Sequence, residues 1–154
     1  TSESLGIYCI MTAIIIWVSS ISLGFATIEM GDSFVAASAG AAAGNAAAAA
    51  AAGSIAVAGG ALQATNVAAG TIGNLLAGIG WICIGWAYRG NDVKGALSFI
   101  PLSWLAILAG LILFVANLVI NQVASTELAS NISGISFILI TLWCLSRGVA
   151  LMRA

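Results

Sequence analysis

Residues 35–60 read VAASAGAAAGNAAAAAAAGSIAVAGG, and they lie inside a longer stretch, Ser33 to Tyr88, that contains no charged residue. Alanine is the best intrinsic helix former, so the tract is predicted to be helical. It covers little apolar surface per turn, and such a helix gains stability chiefly by letting another backbone come close. Gly40 and Gly44 have the small-xxx-small spacing of close helix contacts, and Ala47, Ala51, Gly59 and Gly60 extend the series. These six are the candidate residues for packing between subunits. One helix from Phe34 to Tyr88 would be about 80 Å long, against a bilayer core of about 30 Å. A break is therefore expected near 59–66, where Gly59-Gly60 precedes the polar residues Gln63, Thr65 and Asn66.

Working outward, the composition agrees with this reading. The chain has 154 residues, of which 62% are hydrophobic and 6% charged. Soluble domains carry about a quarter charged residues, so the solvent around this chain is expected to be lipid or further copies of itself. Histidine is absent, which removes the commonest general base and metal ligand. Cys9, Cys83 and Cys144 stand singly in apolar runs without CxxC spacing and read as inert thiols. No nucleophile–base pair, phosphate loop or ligand cluster is present, so neither an enzyme nor a cofactor is expected.

In order, a first apolar helix is expected over 5–28. Its neutral to acidic start, Thr1-Ser-Glu-Ser4, lacks the basic region of a cleaved secretory signal, so the segment is expected to be retained. Glu29-Met-Gly-Asp-Ser33 is predicted to be a turn, followed by the 34–88 stretch ending in Trp81, Trp86 and Tyr88. The charged turn Arg89-Gly-Asn-Asp-Val-Lys-Gly95 leads to a helix over 99–123, with Pro101 in its first turn. A polar turn around Asn121–Asn131 precedes the last helix, 132–152. Asn131-Ile-Ser133 matches a glycosylation acceptor, for which chance is the simpler reading. The predicted fold is all-α: a single domain over 1–154, an antiparallel bundle of about four long hydrophobic helices in two hairpins, built to self-assemble.

Pairing the last two helices as an antiparallel hairpin brings the Arg89–Lys94 loop to the same end as Arg147 and Arg153. Those are the four cations of the chain. Glu127 falls at the other end, joined by Glu29 and Asp32 if the long stretch makes one net crossing. In a membrane this is the positive-inside arrangement, with the Arg89 loop and C-terminus cytoplasmic. In a protein shell the same end would face the lumen, where many copies could neutralise nucleic-acid phosphates together.

Length, apolar hairpins and alanine richness give a superficial similarity to the proteolipid subunits of rotary ATPases. That function needs a carboxylate in the middle of a membrane helix. Here Glu3, Glu29, Asp32, Asp92 and Glu127 all fall at expected helix ends or turns. The Val35 to Gly60 tract, flanked by uniformly hydrophobic helices with cations confined to turns and the C-terminus, resembles instead the small α-helical coat proteins of spindle-shaped and rod-shaped archaeal viruses. The resemblance implies a structural subunit of the virion, a homo-oligomer of many copies forming a shell or tail around DNA, sometimes with lipid. The DNA-facing candidates Arg89, Lys94, Arg147 and Arg153 come from the hairpin argument and not from the resemblance. The alternative expectation is a small four-helix integral membrane protein, an accessory or pilin-like subunit.

Overall fold

A computed structural model of the chain describes residues 1–90, 100–123 and 125–152. The protein is all-α, with four long hydrophobic helices of membrane length and no β-sheet among the described residues. Helix α1 is Ser2–Ala42, α2 is Ala46–Ala87, α3 is Leu102–Val115, α4 is Asn121–Val123 and α5 is Thr126–Met152; a π-helical segment, Ala116–Ile120, joins α3 to α4.

Three boundaries differ from the expected ones. Helix α1 runs straight through Glu29–Ser33, because Gly31 keeps a helical backbone and Glu29 and Asp32, three residues apart, both lie exposed on the helix surface. The chain reverses at Gly44-Asn45, and α2 passes unbroken through Gly59 and Gly60. Gly44 has φ +86, a left-handed conformation that costs a residue with a Cβ about 1–2 kcal/mol. Its N–H donates to the Ala41 carbonyl at 3.0 Å, and that of Asn45 to the Gly40 carbonyl at 3.2 Å. This is the Schellman pattern that satisfies the last carbonyls of a helix. The Asn45 Oδ1 then accepts from the N–H groups of Ala47 and Ala48, so one residue closes α1 and caps α2. Finally, α5 starts before residue 132: Ser125 Oγ accepts from the Leu128 N–H at 3.1 Å and caps it. The Asn131-Ile-Ser133 tripeptide is consequently helical, with Ser133 buried.

The chain divides into two compact units, Ile15–Thr71 and Thr1–Ile14 with Ile72–Ala154. The first is a two-helix hairpin. Gly40 lies so close to Ala48 that a Cβ on it would be 2.9 Å from the Ala48 Cβ; further along, Met30 reaches Gly59 and Ser20 hydrogen-bonds Asn66. The hairpin leaves Phe25, Val35 and Val57 69%, 67% and 76% exposed. Two helices cannot enclose apolar side chains that point away from their common seam.

In the second unit the ends of α1 and α2 pack with α3, the π segment and α5. Trp81, Ile84 and Ala106 form its centre, with Ile10, Tyr88, Ile140 and Trp143 against them. Its helices touch through glycine. A Cβ on Gly6 would lie 2.7 Å from the Gly80 carbonyl oxygen, and one on Gly85 would lie 2.5 Å from that of Ser103.

Candidate functional site

The Ile72–Ala154 part of the second unit carries two polar features in an otherwise apolar surround. One is an aromatic and cationic end. Arg89 follows the last turn of α2, with its guanidinium 4.8 Å from the Trp86 ring centre and 5.5 Å from that of Trp104 at the start of α3. Arg147, near the end of α5, lies 5.2 Å over the ring of Tyr88. Cation–π attraction of this kind stabilises by about 0.5–1 kcal/mol at exposed sites. Tyr88 in turn donates its hydroxyl to Glu3 Oε1 at 3.3 Å, and its ring meets Trp143 edge-on at 6.0 Å. The antiparallel pairing of the last two helices does bring Arg89 and Arg147 to one end. Lys94 and Arg153 lie outside the described residues.

Glu3 belongs to the same end, which is therefore not purely basic. Its position follows from the start of α1 packing against the end of α2, where Gly6 meets Gly80. Trp86 and Trp104 are both more than half exposed, whereas Trp143 is partly buried and ties α5 to α3 by donating Nε1–H to the Leu102 carbonyl at 3.0 Å.

The second feature is a buried amide seam. Asn117, in the π segment, donates to the Leu113 carbonyl at 2.8 Å and to Ser133 Oγ at 3.0 Å, and accepts from Asn74 Nδ2 at 3.0 Å. Ser133 donates its own hydroxyl to the Ala129 carbonyl at 2.8 Å. Three helical segments are thus joined by hydrogen bonds in a place where water is scarce. Sequence reasoning passed over Asn74 and Asn117 because isolated amides in apolar runs carry no motif; their pairing exists only in three dimensions.

The candidate packing residues all lie on the Ile15–Thr71 hairpin. Gly40 serves the hairpin's own seam, Gly44 is its turn, Gly59 lies by Met30, and Ala47, Ala51 and Gly60 are exposed. Among the described glycines, Gly6, Gly78, Gly80, Gly85 and Gly110 lie against the backbone of a neighbouring helix.

Comparisons with protein-family models, with curated proteins and with solved structures find no match to this chain.

Proposed function

We propose that the chain is a small integral membrane protein, with the Arg89 and Arg147 end at the cytoplasmic face of the bilayer. The observation that carries this reading is the outward apolar surface of every long helix: Phe25 on α1, Val57 on α2, Leu111 on α3 and Ile138 on α5 are 69%, 76%, 46% and 63% exposed. Large apolar side chains exposed on this scale need lipid or protein to cover them. Arg89 between the exposed Trp86 and Trp104, and Arg147 over Tyr88, agree with it, since Trp and Tyr concentrate at the membrane–water interface and cations on its cytoplasmic side.

The test is extraction and topology. The chain should stay with membranes through an alkaline carbonate wash and leave only with detergent. A single cysteine placed at Ser125, in a chain whose native cysteines are replaced by serine, should react with an impermeant maleimide from outside the cell. One placed at Gly90 should react only after permeabilisation. Carbonate release of the chain would refute the reading.

A second reading is supported by the lengths of α1 and α2. At 41 and 42 residues, each is about 60 Å long, twice the hydrocarbon thickness. Helices of that length suit a self-assembling coat subunit that packs laterally against many copies around DNA. Particles of regular symmetry containing nuclease-protected DNA, with less DNA packaged by Arg147→Gln, would favour this reading over the first.

A further inference from the structure

We infer that the Arg89 end of the second unit is a binding site for one anionic phospholipid, with its phosphate at Arg89 and an acyl chain laid along α3. The inference rests on the membrane reading above and names the partner it implies.

The headgroup half comes from the way Arg89 is held. Its guanidinium lies within cation–π range of two indoles, Trp86 and Trp104. Cation–π attraction to a ring does not use up the guanidinium's N–H donors, which can still bind an oxyanion in the bidentate geometry that suits phosphate. The rings also restrain a long side chain in advance, so less rotamer freedom is lost on binding. Arg147 is less available. It lies over Tyr88, whose hydroxyl donates to Glu3, and the negative charge of that carboxylate makes this side of the end less favourable to an anion.

The acyl half comes from the outer face of α3. Trp104, Leu108, Leu111 and Val115 recur at helical spacing and are 51%, 43%, 46% and 43% exposed, forming one apolar track that starts at the Arg89 seat. From Trp104 to Val115 the track is about 16 Å long, close to half of a bilayer core of about 30 Å. At its far end, where the α-helix gives way to the π segment, Leu111 and Val115 also line an open apolar groove of about 260 Å³ with Ile112, Ala116, Ile120 and Ile132. A cation at the top, an apolar track of one leaflet's depth and a groove at its end match the parts of a phospholipid in order. A nucleic acid has a use for the cation but none for the track.

Native mass spectrometry of the full chain in detergent, given equimolar phosphatidylglycerol and phosphatidylcholine with the same acyl chains, tests this. The phosphatidylglycerol-bound form should dominate by about five-fold, the ratio equivalent to the ~1 kcal/mol that one arginine contributes beside anionic lipid. Arg89→Gln should bring the ratio to about one, and Arg147→Gln should lower it less, if both keep wild-type helicity by circular dichroism. Leu111→Asn should reduce retention of both lipids and leave their ratio unchanged. Equal retention by the wild-type chain overturns the inference, while the membrane reading survives if the chain still resists carbonate. Adding inorganic phosphate or a short DNA duplex should not displace the bound phosphatidylglycerol. Displacement by either would assign the site to free phosphate or to nucleic acid and overturn the lipid assignment.

Discussion

Gly78 on α2 and Gly110 on α3 meet backbone to backbone: a Cβ on Gly78 would sit 2.9 Å from the Gly110 carbonyl oxygen, and one on Gly110 would sit 2.5 Å from that of Gly78. Neither obstruction is a flexible side chain, so the helices themselves must part to admit a methyl group. Gly110→Ala is expected to destabilise the second unit by about 1–3 kcal/mol, the usual cost of overpacking. Gly134 and Gly148, on α5, have open space where a Cβ would point. Alanine at either should instead stabilise by about 0.5–1 kcal/mol through its helix propensity. Denaturant unfolding in detergent, followed by circular dichroism, separates the two signs. Equal effects at Gly110 and Gly134 would mean that α2 and α3 do not touch there.

The hairpin turn makes a similar contrast. Gly44→Ala should cost about 1–2 kcal/mol because its φ is +86, and Asn45→Ala should cost about 1 kcal/mol by removing the cap of α2. Gly60→Ala should stabilise by about 0.5–1 kcal/mol, since Gly60 is helical with nothing near its Cβ position. Amide hydrogen exchange around residues 40–50 reads the turn directly. Faster exchange in Gly60→Ala than in Gly44→Ala would relocate the turn to the glycine pair.

The all-α class, the membrane-length helices and the shared end of Arg89 and Arg147 were legible because they depend on composition and on the short connection between antiparallel neighbours. The position of the turn was harder to read. Gly44-Asn45 and Gly59-Gly60 are both plausible breaks, and a tract of strong helix formers conceals the former. The deciding physics is that Gly44 supplies a left-handed backbone while Asn45 supplies a cap oxygen, whereas Gly59-Gly60 offers only flexibility. Gly40 apart, the glycines at close helix contacts were not legible. Gly78 and Gly110 are 32 positions apart, and whether a glycine faces a neighbour depends on helix rotation, which spacing alone does not give. Glu3 was likewise assigned no role, because its place beside Tyr88 depends on the start of α1 packing against the end of α2.

Asn117 tests whether the amide seam holds the unit together. Asn117→Leu keeps the volume but leaves the Asn74 amide without its acceptor, and should destabilise by about 1–3 kcal/mol. Adding Asn74→Leu removes the stranded partner, so the double variant should be more stable than the sum of the two single changes predicts, with a coupling of about 0.5–1.5 kcal/mol. Strict additivity in unfolding measurements would show that the two amides do not interact in the folded chain.

Trp143 joins the seam between α3 and α5 to the aromatic end, and its two contributions can be separated. Its ring lies edge-on to Trp81 at 5.2 Å, while its Nε1–H binds the Leu102 carbonyl. Trp143→Phe retains a ring for Trp81 and Tyr88 to pack against and loses only the donor, an expected cost of about 0.5–1.5 kcal/mol. Trp143→Ala loses both, and because the side chain is only partly buried the cost should fall near the lower end of the range for aromatic truncations, about 3 kcal/mol. The alanine variant should also free Tyr88, on which Arg147 is seated, so the near-ultraviolet dichroism of the aromatic end should collapse while far-ultraviolet helicity persists. If phenylalanine proved as damaging as alanine, the hydrogen bond to Leu102 rather than the ring packing would be what fixes α5 against α3.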